Sequence, residues 1–541
     1  MEQKNELYYG DNLDVLRKHV ADETVDLCYI DPPFNSKRNY NQIYNNIGTE
    51  DTAQAQAFVD TWTWNSMANE GFDDIMSNKN GVFTTQSINL ILGLEKVLGK
   101  GSLLAYLVSM TQRIAEIYRV LKPTGSFYLH CDPTASHYLK LVCDALFCTR
   151  GGEFRNELVW HYRRWTNVQQ QFQSMHDTIL FYSKSNNSTF NFTEVDMSDS
   201  QKKKVARGWD SNVISSDKGK YAQLIVYNKE KFENAVRSGK LNKEKYKNII
   251  FRDKTTVAAS DVIIMPSLNS QAKERLGYPT QKPEGLLEKI IKASSNEGAV
   301  ILDCYCGCGT TIAVAEKFKR NWIGIDITYQ SISLILKRLE DSFGGDFTKD
   351  LIDKDTKKII RPSRLQLSGV PQDFASAVAL ANKQDDRVRK EFEKWIILTY
   401  SNNRAIINEK KGGDGGIDGT AFVVDYDDKQ ERDFKQVIFS VKSNKTLSPT
   451  VIRDLFGTVE REKAVMGFLL TLYPMPNLVK EAEKYGTYQN KMFGHTHQKI
   501  TVVSVQEVLD GARMALPTSV EVLKKAERKA KYGLNKGLFD G

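Results

Sequence analysis

Apolar positions along the chain fall into short continuous runs and longer runs with helical spacing, and the two alternate. Val25-Asp26-Leu27-Cys28-Tyr29-Ile30 is short, largely apolar and stops at Asp31-Pro32, which predicts a buried strand delivering a loop at its C-terminal end. Leu103 to Leu121 has helical spacing, halts at Lys122-Pro123-Thr124-Gly125 and precedes a second strand, Ser126 to His130. From about 151 to 270 the pattern dissolves into mixed aromatic and basic residues (Trp160, Tyr162, Arg163, Arg164, Trp165, then Lys202, Lys203, Lys204 and Trp209), which predicts an irregular inserted domain. Regularity then returns. Pro283 to Ser294 predicts a helix, Ala299 to Asp303 a strand, Thr310 the start of another helix and Asn321 to Ile327 a further strand, together a βαβ unit.

Gly344 to Gln372 holds Gly344-Gly345, Pro362 and Pro371 with little apolar periodicity and reads as a linker. Beyond it, a helix over Arg389 to Leu398 and a strand over Gln436 to Lys442 predict a second α/β domain. The expected organisation is thus α/β throughout: 1–150 and 271–343 as two halves of one Rossmann-like domain, 151–270 inserted between them, 344–372 linking, and 373–541 as a separate domain.

Bulk properties add little to this. The length of 541 residues exceeds what one core usually organises. A formal net charge of +8 suits a polyanionic partner without requiring one. The first residues are polar and no apolar run is long enough to span a bilayer, so a cytoplasmic protein without a membrane partner is expected. Seven cysteines are too sparse for a disulfide framework. Three of them, Cys304, Cys306 and Cys308, share one loop without a second ligand pair, and need no metal to explain them.

Candidate chemistry lies at the strand ends. In Asp31-Pro32-Pro33-Phe34, two prolines remove two backbone donors and stiffen a loop of outward carbonyls. An exocyclic amine needs such acceptors: held by the Asp31 carboxylate and a proline carbonyl, its nitrogen is pyramidalised for attack on an electrophilic methyl, while Phe34 offers a flat face to an extruded base. Alone, the tetrapeptide equally suits a strand terminator. A second piece, Asp303-Cys304-Tyr305-Cys306-Gly307-Cys308-Gly309-Thr310, is a tight glycine turn that lets backbone approach a nucleotide-like ligand, and Asp326 ends the next strand where a carboxylate can accept from ribose hydroxyls. A third, Pro279-Thr280-Gln281-Lys282-Pro283, precedes a helix that Thr280 or Gln281 is expected to cap.

Taken in order, these motifs resemble the β-class amino-methyltransferases of bacterial restriction–modification systems, in which the catalytic half precedes the cofactor half and a target recognition domain lies between. The resemblance covers about residues 6 to 340. It implies that Asp31, Pro32, Pro33 and Phe34 are catalytic and that Asp303, Gly307, Gly309 and Asp326 hold S-adenosylmethionine. It places Thr280, Lys282 and Pro283 at the amino-acid end of that cofactor and Asp11 near its adenine. Double-stranded DNA is the implied substrate and a homodimer the implied assembly. The Asp-Pro-Pro form implies adenine N6 as the target, N4-cytosine enzymes more often resembling Ser-Pro-Pro. A related fold methylates protein glutamine with Asn-Pro-Pro-Tyr, from which Asp31 and the long insert depart. Arg163, Arg164 and Lys202 to Lys204 are candidates for phosphate contacts. His130 and His137 sit in intermediate motifs and are set aside as structural.

The C-terminal segment resembles the Mrr-like branch of the PD-(D/E)xK nuclease fold. The matching residues are Glu393, Asp418 after the Lys411 to Gly416 glycine run, Ser440 and Lys442, the last two on one strand face. The resemblance implies that Glu393, Asp418 and Ser440 hold Mg²⁺ beside a catalytic Lys442. Ser440 departs from the fold's usual Glu, Asp or Gln, and a hydroxyl is a poorer Mg²⁺ ligand than a carboxylate. A bifunctional nuclease whose methyltransferase half protects sites is the competing reading.

Overall fold

The computed structural model describes residues 5–516 and 519–520, apart from 35–37, 44–53, 61, 164–168, 193, 197–198, 217–218, 253–255, 270, 345–350, 353–358, 362, 383–385, 409–415 and 428. Two compact units are formed, one from 1–189 with 264–541, the other from Phe190–Ile263.

The first unit is built on a mixed sheet. Its strands are β1 (Asn5–Tyr9), β2 (Val25–Ile30), β3 (Leu121–Cys131), β4 (Glu153–His161) and β5 (His176–Ser183). In the second unit lie β6 (Trp209–Ser216), β7 (Gly219–Val226) and β8 (Asn248–Phe251). The chain then returns to the first sheet with β9 (Val300–Asp303), β10 (Asn321–Asp326) and β11 (Leu365–Ser368). Spatial order from β4 onward is β4-β5-β3-β2-β9-β10-β1-β11. From β3 to β11 neighbours run parallel, whereas β5 is antiparallel to both β3 and β4.

Parallel strands buried on both faces need continuous apolar runs, and β2 and β9 supply them. The exception, Asp26, works as a tie: its carboxylate accepts from the Val300 amide at 2.8 Å and from Lys122 at 2.7 Å. Helices α1 (Asn12–His19), α2 (Ser102–Val120), α3 (Glu284–Ser294), α4 (Thr310–Lys317) and α5 (Tyr329–Phe343) follow. The sheet and α2 share one core with Leu104, Leu107, Ile114, Ile117, Phe127 and Leu302.

Two expectations change here. The stretch 151–270 is not all insert: Glu153–His161 and His176–Ser183 belong to the main sheet, because the buried run Thr178 to Ser183 pairs with β3, and the separate unit is Phe190–Ile263. Nor is 344–372 only a linker, since Leu365–Ser368 is the edge strand beside β1. The second unit has its own small core, in which Leu224 and Val226 of β7 pack with Phe232, Ala235 and Leu241.

Beyond β11 a second sheet forms within the first unit. Helix α6 (Asp386–Tyr400) precedes β12 (Ile406–Ile407), β13 (Gly419–Tyr426) and β14 (Arg432–Lys442). Helix α7 (Thr450–Arg461) comes next, then β15 (Met466–Thr471) and β16 (Ile500–Ser504). The order is β12-β13-β14-β15-β16, antiparallel as far as β14 and parallel after it. Among the described residues no helix is long and apolar enough to cross a membrane.

Helices α1 and α2 are joined by Glu116, only 2% exposed, which takes Arg17 at 3.0 Å and Arg119 at 2.7 Å. Removing this carboxylate takes one partner from each of two part-buried guanidinium groups and leaves a buried gap between the helices. Glu116→Ala is expected to lower stability by about 2 kcal/mol in denaturant titration, whereas Asp14→Ala, which breaks an exposed pair with Lys18, should change it by less than about 0.5 kcal/mol.

Candidate active site

Strand β2 ends at Ile30, opposite Leu129 of β3, and delivers Asp31 to the C-terminal edge of the sheet. One Asp31 oxygen, Oδ2, accepts from Lys282 Nζ at 2.5 Å, with both side chains largely buried. The other, Oδ1, is buried and has no hydrogen-bond partner among the described residues. A buried acceptor left unmade costs free energy, so this one is poised for a donor from outside the chain. Phe34 stacks on the His130 ring at 6.0 Å between centroids, and Lys282 Nζ lies 5.4 Å from the Phe34 ring centre.

One strand further along the edge, β9 ends at Asp303 and the glycine loop follows. Gly307 and Gly309 take φ of +52° and +72°, which side chains disfavour, and a Cβ on Gly309 would meet Ile335 at 2.9 Å. Asp326, ending β10, accepts the Gly307 amide on Oδ2 at 2.9 Å and the Thr328 amide on Oδ1 at 2.9 Å. Burial pushes Asp303 up to about 7 and Asp326 up to about 6. Backbone and hydroxyl donors oppose both shifts, while the negative charge of Asp31 adds to that on Asp303. Two carboxylates short of compensating charge, beside a glycine turn and an orphaned acceptor, fit a ligand carrying hydroxyl and ammonium donors.

Comparison with known proteins decides the family. The DNA methylase family model matches residues 25–337, more than half of the chain. The chain belongs to the DNA methylase family. The Type II methyltransferase M1.MboII of Moraxella bovis is 30% identical over 231 residues, covering 42% of this chain and 78% of that protein. The DNA adenine methyltransferase YhdJ of Escherichia coli (strain K12) is 26% identical over 336 residues, covering 62% and 82%. The crystal structure of an M1.HpyAVI–SAM complex is 14% identical with a TM-score of 0.31, over 62% of this chain and 98% of that one, a likeness too loose to bear on the site.

Within this DNA methylase the candidate residues are not all alike in place. Asp31, Phe34, Asp303, Gly307, Gly309 and Asp326 line one edge. Lys282 pairs with Asp31. Pro283 sits at the start of α3, which neither Thr280 nor Gln281 caps: the first free amide, that of Glu284, goes to the Glu274 carboxylate at 3.0 Å, and Gln281 braces the preceding turn. Thr280 is exposed with φ +59°. Asp11 caps α1 through the Leu13 amide and pairs with Arg113 at 2.9 Å, so both of its oxygens are engaged. Cys304, Cys306 and Cys308 are buried free thiols. Arg164 and Lys411 to Asp414 lie outside the described residues, as does the side chain of Lys204.

Sequence reading set His130 aside, yet it is fully buried beneath Phe34. Burial, and then the Lys282 ammonium, lower its pKa against the opposing Asp31 and Asp177 carboxylates, which favours the neutral ring. A neutral ring fixes the hydrogens: Tyr29 Oη donates to Nδ1 at 2.9 Å, Nε2 donates to Asp177 Oδ2 at 3.2 Å, and Tyr162 Oη donates to Asp177 Oδ1 at 2.8 Å. Only its place after an apolar strand, Leu129-His130, hinted at this.

At the far sheet, Glu393 of α6, Asp418 ahead of β13 and Lys442 of β14 converge. Lys390 Nζ stands 2.7 Å from Glu393 Oε2 and 3.9 Å from Asp418 Oδ1, and Asp418 Oδ2 accepts the Val441 amide at 2.7 Å. Burial raises the Glu393 carboxyl, Asp418 adds to the shift, and Lys390 and Lys442 oppose it. Ser440 is buried on the same strand. A lysine between two carboxylates, with a hydroxyl as the third donor, is a poor Mg²⁺ cage. Among the described residues no three His, Cys, Asp or Glu side chains come together as metal ligands.

The raised carboxyls fix a sign. Their folded pKa values exceed the usual 3.8, so the stability they confer is full below about pH 4 and is lost as pH rises through 6 to 7. Asp303→Asn removes one titration. Its melting temperature relative to wild type should rise as pH goes from about 5 to about 8 in scanning fluorimetry of the ligand-free protein. A pH-independent difference would contradict the buried Asp303 environment.

Proposed function

We propose that this DNA methylase transfers a methyl group from S-adenosylmethionine to the N6 amino group of an adenine extruded from duplex DNA, at a specific site. The observation that carries this reading is the unpartnered, buried Oδ1 of Asp31, held in place by Lys282 on the other oxygen. S-adenosylmethionine would supply the electrophilic methyl group, with Asp303, the Gly307 to Gly309 turn and Asp326 as the residues to hold it. Asp31 Oδ1 accepts one amino hydrogen and a carbonyl of the Pro32-Pro33 loop the other, which frees the nitrogen lone pair from the ring. Phe34 packs against the base. Asp31 Oδ1 is also the atom placed to take the amino proton as the new C–N bond forms and the methyl–sulfur bond breaks, which would leave the cofactor as the neutral thioether.

Support for adenine comes from the Asp-Pro-Pro form of the tetrapeptide and from the name of the YhdJ relative. The separate Phe190–Ile263 unit, basic at Lys202 and Lys203, is the proposed reader of the flanking sequence. Tritiated S-adenosylmethionine incubated with mixed genomic DNA, followed by nucleoside chromatography, tests the reading. Label should appear in N6-methyladenine and fall at least about 100-fold in Asp31→Ala. Label in N4-methylcytosine alone overturns the adenine reading, and label in neither nucleoside overturns DNA methylation altogether.

For the C-terminal sheet we infer a nuclease-like fold that contacts DNA without Mg²⁺-dependent cleavage. The convergence of Glu393, Asp418 and Lys442 supports the fold, and Lys390 between the carboxylates speaks against the metal. Supercoiled plasmid should stay intact with wild type and Lys442→Ala alike at millimolar Mg²⁺. Nicking by wild type alone would reinstate the nuclease.

A further inference from the structure

The turn joining β4 to β5 stands at the catalytic edge for a topological reason. Strand β2 is parallel to β3, so Asp31 follows Ile30 where His130 follows Leu129. Strand β5 is antiparallel to β3, with Thr178 opposite Cys131, so β5 begins where β3 ends. Strand β4 in turn ends with His161 opposite His176. The described residues next to this junction, Tyr162 and Arg163 on one side and Gln169 to Met175 on the other, therefore belong to the same sheet edge as the Asp31 loop.

The root of this turn is rigid. The Tyr162 amide donates to the Met175 carbonyl at 2.9 Å, and Trp160 Nε1 to the Met265 carbonyl at 2.9 Å. Asp177, one residue into β5, takes hydrogen bonds from Tyr162 and from His130, and His130 stacks on Phe34. The stem of the turn is thus tied through two side chains to the face proposed to receive the target base.

The tip is different. Gln169-Gln170-Gln171-Phe172-Gln173 is exposed, and Phe172 is 98% exposed, more than any other large apolar side chain among those described. The other exposed phenylalanines of this unit stand elsewhere: Phe154 opens β4 at its opposite end, under the Lys140 ammonium at 4.0 Å, and Phe493 lies beyond β15. An apolar ring held wholly in water is unfavourable unless something covers it during function.

Extrusion of a base supplies the cover. It leaves a flat gap between two base pairs and an orphaned partner base with unmade hydrogen bonds. A planar aromatic ring fills such a gap by stacking, and glutamine amides carry both a donor and an acceptor for the orphaned edge. Phe34 suits the extruded base, because it is part-buried and braced; Phe172 suits the vacancy, because it is outside and unbraced.

We propose that Phe172 is the wedge that enters the duplex and fills the space left by the extruded target base, with the adjoining glutamines facing its orphaned partner. The proposal rests on the base-extruding methylase reading above. It makes Phe172 a DNA-positioning residue, with no part in holding the cofactor or in methyl transfer itself.

The recognition site is first located by mapping methylated bases in DNA from cells expressing the wild type. Duplexes carrying that site are then made with the target base normally paired, or opposite an abasic position. Phe172→Ala should lower kcat on the paired duplex at least about tenfold and leave KM for S-adenosylmethionine unchanged. On the abasic duplex, where no partner holds the base in, it should recover to within about threefold of wild type. Phe172→Trp should stay near wild type on both. With 2-aminopurine at the target position, binding should raise fluorescence for wild type and not for Phe172→Ala. Unchanged kcat on the paired duplex, or an equal loss on both duplexes, overturns the wedge. A wild type that methylates neither duplex overturns the underlying methylase reading, and the wedge with it.

Discussion

Strand β2 pairs in parallel with β9, Leu27 against Ile301 and Cys28 against Leu302, and with β3 on its other side. That ladder joins stretches of chain more than 270 residues apart in sequence and sets Asp31 and Asp303 side by side at one sheet edge. Parallel strands with crossovers on the faces must end at a common edge, so the loops after β2, β9 and β10 face the same space. The negative charge of Asp31 is felt at Asp303, and the site is in effect one electrostatic system. Lys282, arriving from the segment before α3, supplies the counter-charge.

The same edge is also where the two sheets of the first unit meet. Glu391 on α6 accepts the Tyr329 amide at 2.8 Å at the start of α5, three residues after Asp326. Tyr329 Oη in turn contacts Thr399 Oγ1 at 3.0 Å, and its ring meets Tyr9 edge-on at 5.9 Å. Two residues beyond Glu391, Glu393 faces the Asp418 and Lys442 group. A single helix thus presents one carboxylate to the methylase sheet and another to the second sheet.

Much of this was legible in the chain. The runs at Val25–Ile30, Val300–Asp303 and Asn321–Asp326 are apolar enough to be buried strands and nothing else, and the helix at Ser102–Val120 lies within one residue of its periodicity. Less legible was β5. Its apolar run, Thr178 to Ser183, lies among aromatic and basic residues whose pattern suggested an insert, and only pairing with β3 makes it a sheet strand. Leu365–Ser368 was hidden likewise, since four residues beside glycines and prolines carry too little periodicity to announce a strand.

By itself the sequence determined the order of motifs, the stiffness of Asp31-Pro32-Pro33-Phe34 and the positive-φ turn at Gly307 and Gly309, because proline and glycine act through local backbone geometry. Tertiary structure alone decided the partners. That Lys282 pairs with Asp31, that one oxygen of Asp31 is left without a donor among the described residues, that His130 is buried between Tyr29 and Asp177, and that Lys390 stands between Glu393 and Asp418 depend on burial and on contacts between distant segments. Local pattern carries no information about which remote charge will fill a given space, and it is that charge, in a medium of low polarity, that sets what each carboxylate can do.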